Sequence, residues 1–184
     1  MDWNGWLRTD LAELQEVLQK VHGAEIERLC DLILGARRIF VVGQGRSGLL
    51  MKMFALRLMQ LGLTVHVVGD ATTPAIGAGD LLVVCSGSGE TAGALTPAKK
   101  AKQLGAKVAA VVSRSGSTLS QLADHTLLVP GETPKVSMEQ RSKLPLATIL
   151  EQAMLIVLDC VIGWLAERMG QTNQDMMTRH ANLE

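Results

Sequence analysis

Three stretches of small polar residues follow apolar runs and precede helical patterns. In Cys85-Ser86-Gly87-Ser88-Gly89-Glu90-Thr91 the hydroxyls of Ser86, Ser88 and Thr91 fall within one turn of an expected helix N-terminus. Backbone N–H groups and the dipole at such a terminus favour an anion, and short hydroxyls donate to its oxygens without adding charge. A single hydroxyl is explained by capping; three interleaved with glycines point to a phosphate. No Lys follows in the G-K-[ST] form, which removes the NTPase P-loop. The first stretch, Val41 to Gly48, reads V-V-G-Q-G-R-S-G and satisfies G-x-G-x-x-G, with Asp70 placed 22 residues beyond Gly48. Two readings fit: a dinucleotide fingerprint with Asp70 as its ribose carboxylate, or glycines that only permit a tight strand-to-helix turn. The third stretch, Ser113 to Leu119, offers hydroxyls to the same region, but Ser117 or Thr118 serves equally as the cap of the short helix that follows, and it carries no assignment.

Positioning these loops requires a sheet. Short apolar runs at 39–42, 65–68, 81–85, 108–112 and 126–129 read as strands covered on both faces, with helical segments at 47–61, 91–104 and 118–123 between them. The prediction is an α/β three-layer αβα sandwich with a five-stranded parallel, doubly wound sheet, preceded by helices over 9–22 and 24–36. In that arrangement the loops converge at the carboxyl edge of the strands, so that Ser47 and the Ser86–Thr91 loop face one anion. Residues 130–146, punctuated by Pro130, Pro134 and Pro145, form a long connection that could line the site. A helix over 147–169 is apolar around most of its surface and belongs in the core or against another subunit. Asn173 is expected to cap a last short helix.

The 184 residues suffice for one domain, and 47% hydrophobic with 20% charged residues is an ordinary folded composition. Lys+Arg and Asp+Glu both number 18 and aromatics are 3%, which argues against a nucleic-acid partner. Cys30, Cys85 and Cys160 are odd in number and set in apolar stretches, as buried thiols of a reducing compartment are. No secretory signal is expected, and Asp159, Glu167 and Arg168 are expected to keep the last long helix short of a membrane span. His22, His66 and His125 have no partners at metal-ligand spacing.

VVGQGRSG and VVCSGSGETAG together resemble the sugar isomerase (SIS) phosphosugar-binding fold. The likeness continues through VAAVVSRSGSTLSQLADHTLLVPG into PLATILEQAMLIVLD and MMTRHANLE, and in order, spacing and size is to the 6-phospho-3-hexuloisomerases. It implies one flavodoxin-like SIS domain over 1–184, with N-terminal helices over 1–36, the sheet over 37–130 and C-terminal helices over 147–184. It further implies interconversion of D-arabino-hex-3-ulose 6-phosphate and fructose 6-phosphate in the ribulose monophosphate pathway of formaldehyde fixation. By resemblance the protein needs no metal or organic cofactor, takes a small sugar phosphate and forms a homotetramer with sites between subunits; the thiols and the lack of a signal read as cytoplasmic. Ser47, Ser86, Ser88 and Thr91 match phosphate-binding positions, and Glu151 matches the catalytic carboxylate. The family's Q-P-M-G-S-L-F-E-Q is here Leu144-Pro145-Leu146-Ala147-Thr148-Ile149-Leu150-Glu151-Gln152, with Leu144 replacing the polar first residue.

Moving a carbonyl from C3 to C2 requires removal of the C2 proton, an enediol(ate), and protonation at C3, which one carboxylate can perform if it reaches both carbons. Glu151 is the expected base. His180 is the candidate for moving hydroxyl protons or opening the fructose ring, reaching a neighbouring subunit's site, with a surface histidine as its alternative. Gly45 and Arg46 are candidate substrate contacts, Arg46 through the phosphate or the enediolate. The competing functions are another SIS isomerase of the phosphoheptose type, a non-catalytic phosphosugar-sensing SIS module, and a nicotinamide-binding Rossmann protein.

Overall fold

Along the strand Ile39–Gly43 (β1), Ile39 and Val41 enter one hydrophobic core while Phe40 and Val42 enter another. The same alternation holds in Leu81–Cys85 (β3) and Lys107–Val112 (β4), because successive side chains of a strand point to opposite faces. Both faces are covered, and the strands therefore read as unbroken apolar runs. With Val65–Val67 (β2) and His125–Leu128 (β5) they form one parallel sheet in the order β2-β1-β3-β4-β5. The computed structural model describes residues 2–133 and 142–183; residues 134–141 of the Pro130–Leu146 connection, Pro134 among them, lie outside these.

Helices Trp3–Leu18 (α1), Gly23–Leu34 (α2), Arg46–Gln60 (α3) and Thr148–Arg168 (α6) fill the first core; Ala92–Gln103 (α4) and Thr118–Leu122 (α5) fill the second. The thin second layer is built on Ala94, Ala98 and Ala101, whose small side chains bring α4 close to the sheet. A last short helix, Asn173–Met177 (α7), follows α6.

Several boundaries differ from the sequence expectation for local reasons. The first helix begins at Trp3 because Asp2 caps it, its carboxylate accepting from the Gly5 amide at 2.8 Å. Thr172, not Asn173, caps α7: it forms a reciprocal capping box with Asp175, and Asn173 is the first helical residue. Strand β5 starts one residue early, at His125, whose Nε2 meets the Glu25 carbonyl at 2.8 Å. Contrary to expectation, α6 is long and apolar enough by length and composition to cross a membrane. The tertiary structure gives that apolarity another use: Leu150, Ala153, Met154, Leu158, Val161 and Leu165 are in the first core, where α6 packs against α1, α2 and α3.

At the amino edge of the sheet, the fully buried Asp80 carboxylate is held by Arg37, Arg38 and the Gly77 amide. The Arg38 guanidinium holds this carboxyl well below the usual range, overcoming the opposing effect of burial. This cluster pins the loop before β3 to β1 at the end of the sheet remote from the polar loops.

Candidate functional site

In a sheet of this order the topological switch point lies between β1 and β3, where the chain leaves the two strands toward opposite faces and opens a crevice at their carboxyl ends. One cavity occupies that crevice. Ser47 lines it from the first turn of α3, Ser86, Gly87, Ser88 and Thr91 from the loop after β3, and Glu151 from the first turn of α6. Ser47, Ser86, Ser88, Thr91 and Glu151, all picked out in the sequence, thus share one space.

Backbone geometry shapes the loops for an anion. Gly45, at the start of α3, has φ +58°, and a Cβ at Gly43 would lie 2.6 Å from the Ser47 carbonyl oxygen, so the G-x-G-x-x-G pattern is accounted for by a tight turn. Thr91 precedes α4 without capping it: its hydroxyl instead takes a hydrogen bond from Ser86 Oγ at 3.2 Å. The amides of Gly87, Ser88 and Thr91 have no acceptor among the described residues, and all three residues line the cavity. Free N–H groups, hydroxyls and an uncapped helix start together make a cradle for a dianion.

On the other side stands Glu151, with a one-fifth exposed side chain. Its Oε2 accepts a charge-assisted hydrogen bond from Arg46 Nε, joining the first turns of α3 and α6 across 105 residues of sequence. Arg46 meets the cavity through this contact; Gly45 does not line it. Between Glu151 and the cradle lies Cys85, whose thiol burial pushes up to about 12; a hydrogen bond with Ser47 opposes the rise and the Glu151 charge adds to it. The thiol is therefore neutral near pH 7 and, 3.6 Å from Met154 Sδ, forms an uncharged floor.

A match to the family model described as SIS domain covers residues 32–158. The chain belongs to the SIS domain family. Similar proteins include the 3-hexulose-6-phosphate isomerase of Mycobacterium gastri, 41% identical over 94% of this chain and 86% of that protein. The 3-hexulose-6-phosphate isomerase of Bacillus subtilis (strain 168) is 40% identical over 95% of each chain. A Methanococcus jannaschii protein, whose crystal structure at 2.0 Å infers a molecular function of 3-hexulose-6-phosphate isomerase, superposes with a TM-score of 0.85 at 34% identity, covering 98% of this chain and 99% of that one.

Other candidate residues of this SIS domain lie elsewhere. His180 follows α7 and is exposed, its Nδ1 3.1 Å from the Ala181 carbonyl. The preceding Arg179 donates to the Gln60 carbonyl at the far end of α3, at 3.0 Å. His180 thus belongs to the amino edge of the sheet, separated from Glu151 by the length of α6, roughly 30 Å. Within one chain they do not meet. Asp70 lies after β2, does not line the cavity, and is 3.7 Å from Lys52 Nζ, so the dinucleotide reading loses its ribose carboxylate.

Two polar cavity residues, Gln44 and Thr133, are new. Gln44 donates through Nε2 to the Gly93 carbonyl at 3.4 Å, and the reason lies one turn on: Pro97 has no N–H to give that carbonyl. A proline inside a helix four residues after a glycine was the available signal. Thr133 is nine-tenths buried and lines the cavity, and its Oγ1 has no hydrogen-bond partner among the described residues; it belongs to no motif.

Proposed function

We propose that this SIS-domain protein is a 3-hexulose-6-phosphate isomerase, interconverting D-arabino-hex-3-ulose 6-phosphate and fructose 6-phosphate through an enediol(ate). The observation that carries the reading is a dianion cradle and, among the described residues, a single carboxylate facing one cavity; the names of relatives about 40% identical over nearly the whole chain supply the substrate. Ser86, Ser88, Thr91 and Ser47 hold the 6-phosphate, and Glu151 removes the C2 proton and returns it at C3. Arg46 lies beside the base, where its guanidinium can take up charge developing on the enediolate. The 3-ketose is an open chain, because the oxygen needed for a five-membered ring carries the phosphate; ring opening is required only of fructose 6-phosphate.

His180 serves ring opening or hydroxyl proton transfer from a second copy of the chain. Association is supported by Leu49, Met53 and Leu56, exposed at helical spacing on α3, and by Ile156 and Trp164, exposed on α6; the family resemblance favours a homotetramer. The whole chain acts as one unit, in the cytoplasm, within the ribulose monophosphate pathway of formaldehyde fixation, and the chemistry calls for no metal or organic cofactor. Incubation of the 3-hexulose phosphate with the protein in D2O, followed by NMR, tests this. Formation of fructose 6-phosphate with deuterium at C3 of product, or deuterium at C2 of recovered 3-hexulose phosphate, supports it. Binding without exchange identifies a sensing module instead, and turnover of heptose phosphate alone identifies the phosphoheptose type.

A further inference from the structure

The loop after β4, Ser113 to Thr118, is as rich in hydroxyls as the phosphate cradle yet lines none of the cavity. Its hydrogen bonds run instead to the back of the cradle. Ser113 donates twice to the Gly87 carbonyl, from its amide at 3.0 Å and its hydroxyl at 2.8 Å. The Leu119 amide donates to the Gly89 carbonyl at 3.0 Å. Glu90 closes the set: its carboxylate accepts from the Thr118 amide at 2.8 Å and from the Thr118 hydroxyl at 2.6 Å. There is no room for slippage, since a Cβ on Gly89 would lie 2.2 Å from Ser117 Oγ.

These contacts have one electrostatic consequence. A peptide carbonyl turned toward a phosphate repels it, so a cradle made of backbone must keep its carbonyls pointed away and its amides inward. Here the carbonyls of Gly87 and Gly89 are engaged by the second loop, while the Gly87 and Ser88 amides have no acceptor among the described residues. Glu90 is the carboxylate in that arrangement: Thr118 satisfies it with two donors on the side away from the cavity, and the Arg114 charge of the same loop favours its ionised form.

We propose that Glu90 is a positioning residue which, through Thr118, holds the loop after β3 in its anion-binding form, and that the loop after β4 exists to brace the phosphate cradle rather than to touch substrate. This rests on the cavity being a sugar-phosphate site. The expected signature is loss of phosphate affinity with little loss of turnover at saturation.

The test compares wild type, Glu90→Ala, Glu90→Gln, Thr118→Val and the double variant Glu90→Ala/Thr118→Val in the isomerase assay, with inorganic phosphate as competitive inhibitor. In Glu90→Ala, KM for the hexulose phosphate and Ki for phosphate should rise together by about tenfold or more, the worth of a charge-assisted hydrogen bond, with kcat within about twofold. Glu90→Gln, which retains an acceptor, should recover part of the loss, and the double variant should be no worse than Glu90→Ala, because both substitutions remove the same contact. Unchanged KM and Ki in Glu90→Ala, or a fall in kcat with KM unchanged, overturns the proposal, as do independent effects in the double variant. If Glu90→Ala fails to fold, Thr118→Val alone decides by the same KM and Ki criteria. Titration of fructose 6-phosphate and inorganic phosphate into all variants, followed by 31P NMR, reads the brace without turnover. An inactive wild type that binds sugar phosphate, with binding weakened in the variants, rejects the isomerase and leaves the brace standing.

Discussion

Glu151→Gln keeps the size of the side chain and removes its charge. The structural cost is small. The Glu151–Arg46 pair joins a side chain 20% exposed to one 63% exposed, and such solvent-screened pairs contribute at most about 1 kcal/mol. For a chain of this length that corresponds to a fall in Tm of about 2–4 °C or less. The catalytic cost is large. A general base contributes about 10²- to 10⁴-fold to a proton transfer, and here one carboxylate both takes and returns the proton, so kcat should fall on the order of 10³-fold or more. Substrate affinity should hold, because the phosphate is gripped by the other two loops and loss of a negative charge from the cavity does not oppose a dianion. The assay pairs fructose 6-phosphate formation with C2 proton exchange in D2O, and adds a titration of fructose 6-phosphate to verify binding. A variant retaining more than about a tenth of wild-type kcat would remove Glu151 as the base, since the smallest contribution expected of one is about a hundredfold.

Three other outcomes follow from the geometry. Gly89→Ala must place a Cβ 2.2 Å from the buried Ser117 hydroxyl at φ +68°, so urea unfolding should show a loss of about 2–4 kcal/mol; a change within the error of the measurement would mean that the α5 start gives way freely. Thr133→Val removes a buried hydroxyl that has no partner among the described residues while keeping the methyl that packs toward Gly87, so free-protein stability should be unchanged or rise by about 1 kcal/mol; a fall of that size would show that the hydroxyl is satisfied. Burial lowers the His125 pKa, opposed by its hydrogen bond to the Glu25 carbonyl, so the unfolded chain binds the proton more readily than the fold. Stability should therefore drop as pH falls below the ordinary histidine value of about 6.5, and the difference in Tm between wild type and His125→Gln should narrow across that window; a difference independent of pH would refute the assignment.

The sheet was legible because its inner strands carry unbroken apolar runs, Ile39–Val42, Leu81–Cys85 and Val108–Val112, a pattern imposed by cover on both faces, and because each of these runs ends at glycine or serine where the chain must turn. The cradle was legible for a related reason: an anion site built from one loop places its donors within a few residues of each other, so Ser86, Ser88 and Thr91 announce themselves. What the sequence could not express is contact between distant elements. The Arg46–Glu151 pair spans 105 residues, and Gln44 gains its hydrogen bond only because Pro97 leaves a carbonyl unsatisfied on another helix. The apolarity of α6 was ambiguous in the same way, since a core helix and a membrane span satisfy one composition. His180 was readable by chemical type alone: the topology carries it to the edge opposite Glu151 in the same chain, a placement that no local pattern encodes.

The cradle hangs from strand ends clamped by the sheet, whereas the carboxylate rides on a helix that joins the domain only after a long connection. Handle and tool are consequently separable. Substitutions in the opening turn of α6 can alter what is done to a carbohydrate without loosening the hold on its phosphate, and changes among the serines can retune that hold without disturbing the reactive group. A scaffold divided in this way can exchange one chemistry for another, or abandon chemistry and only report what it has caught, in small steps that leave the hydrophobic interior untouched.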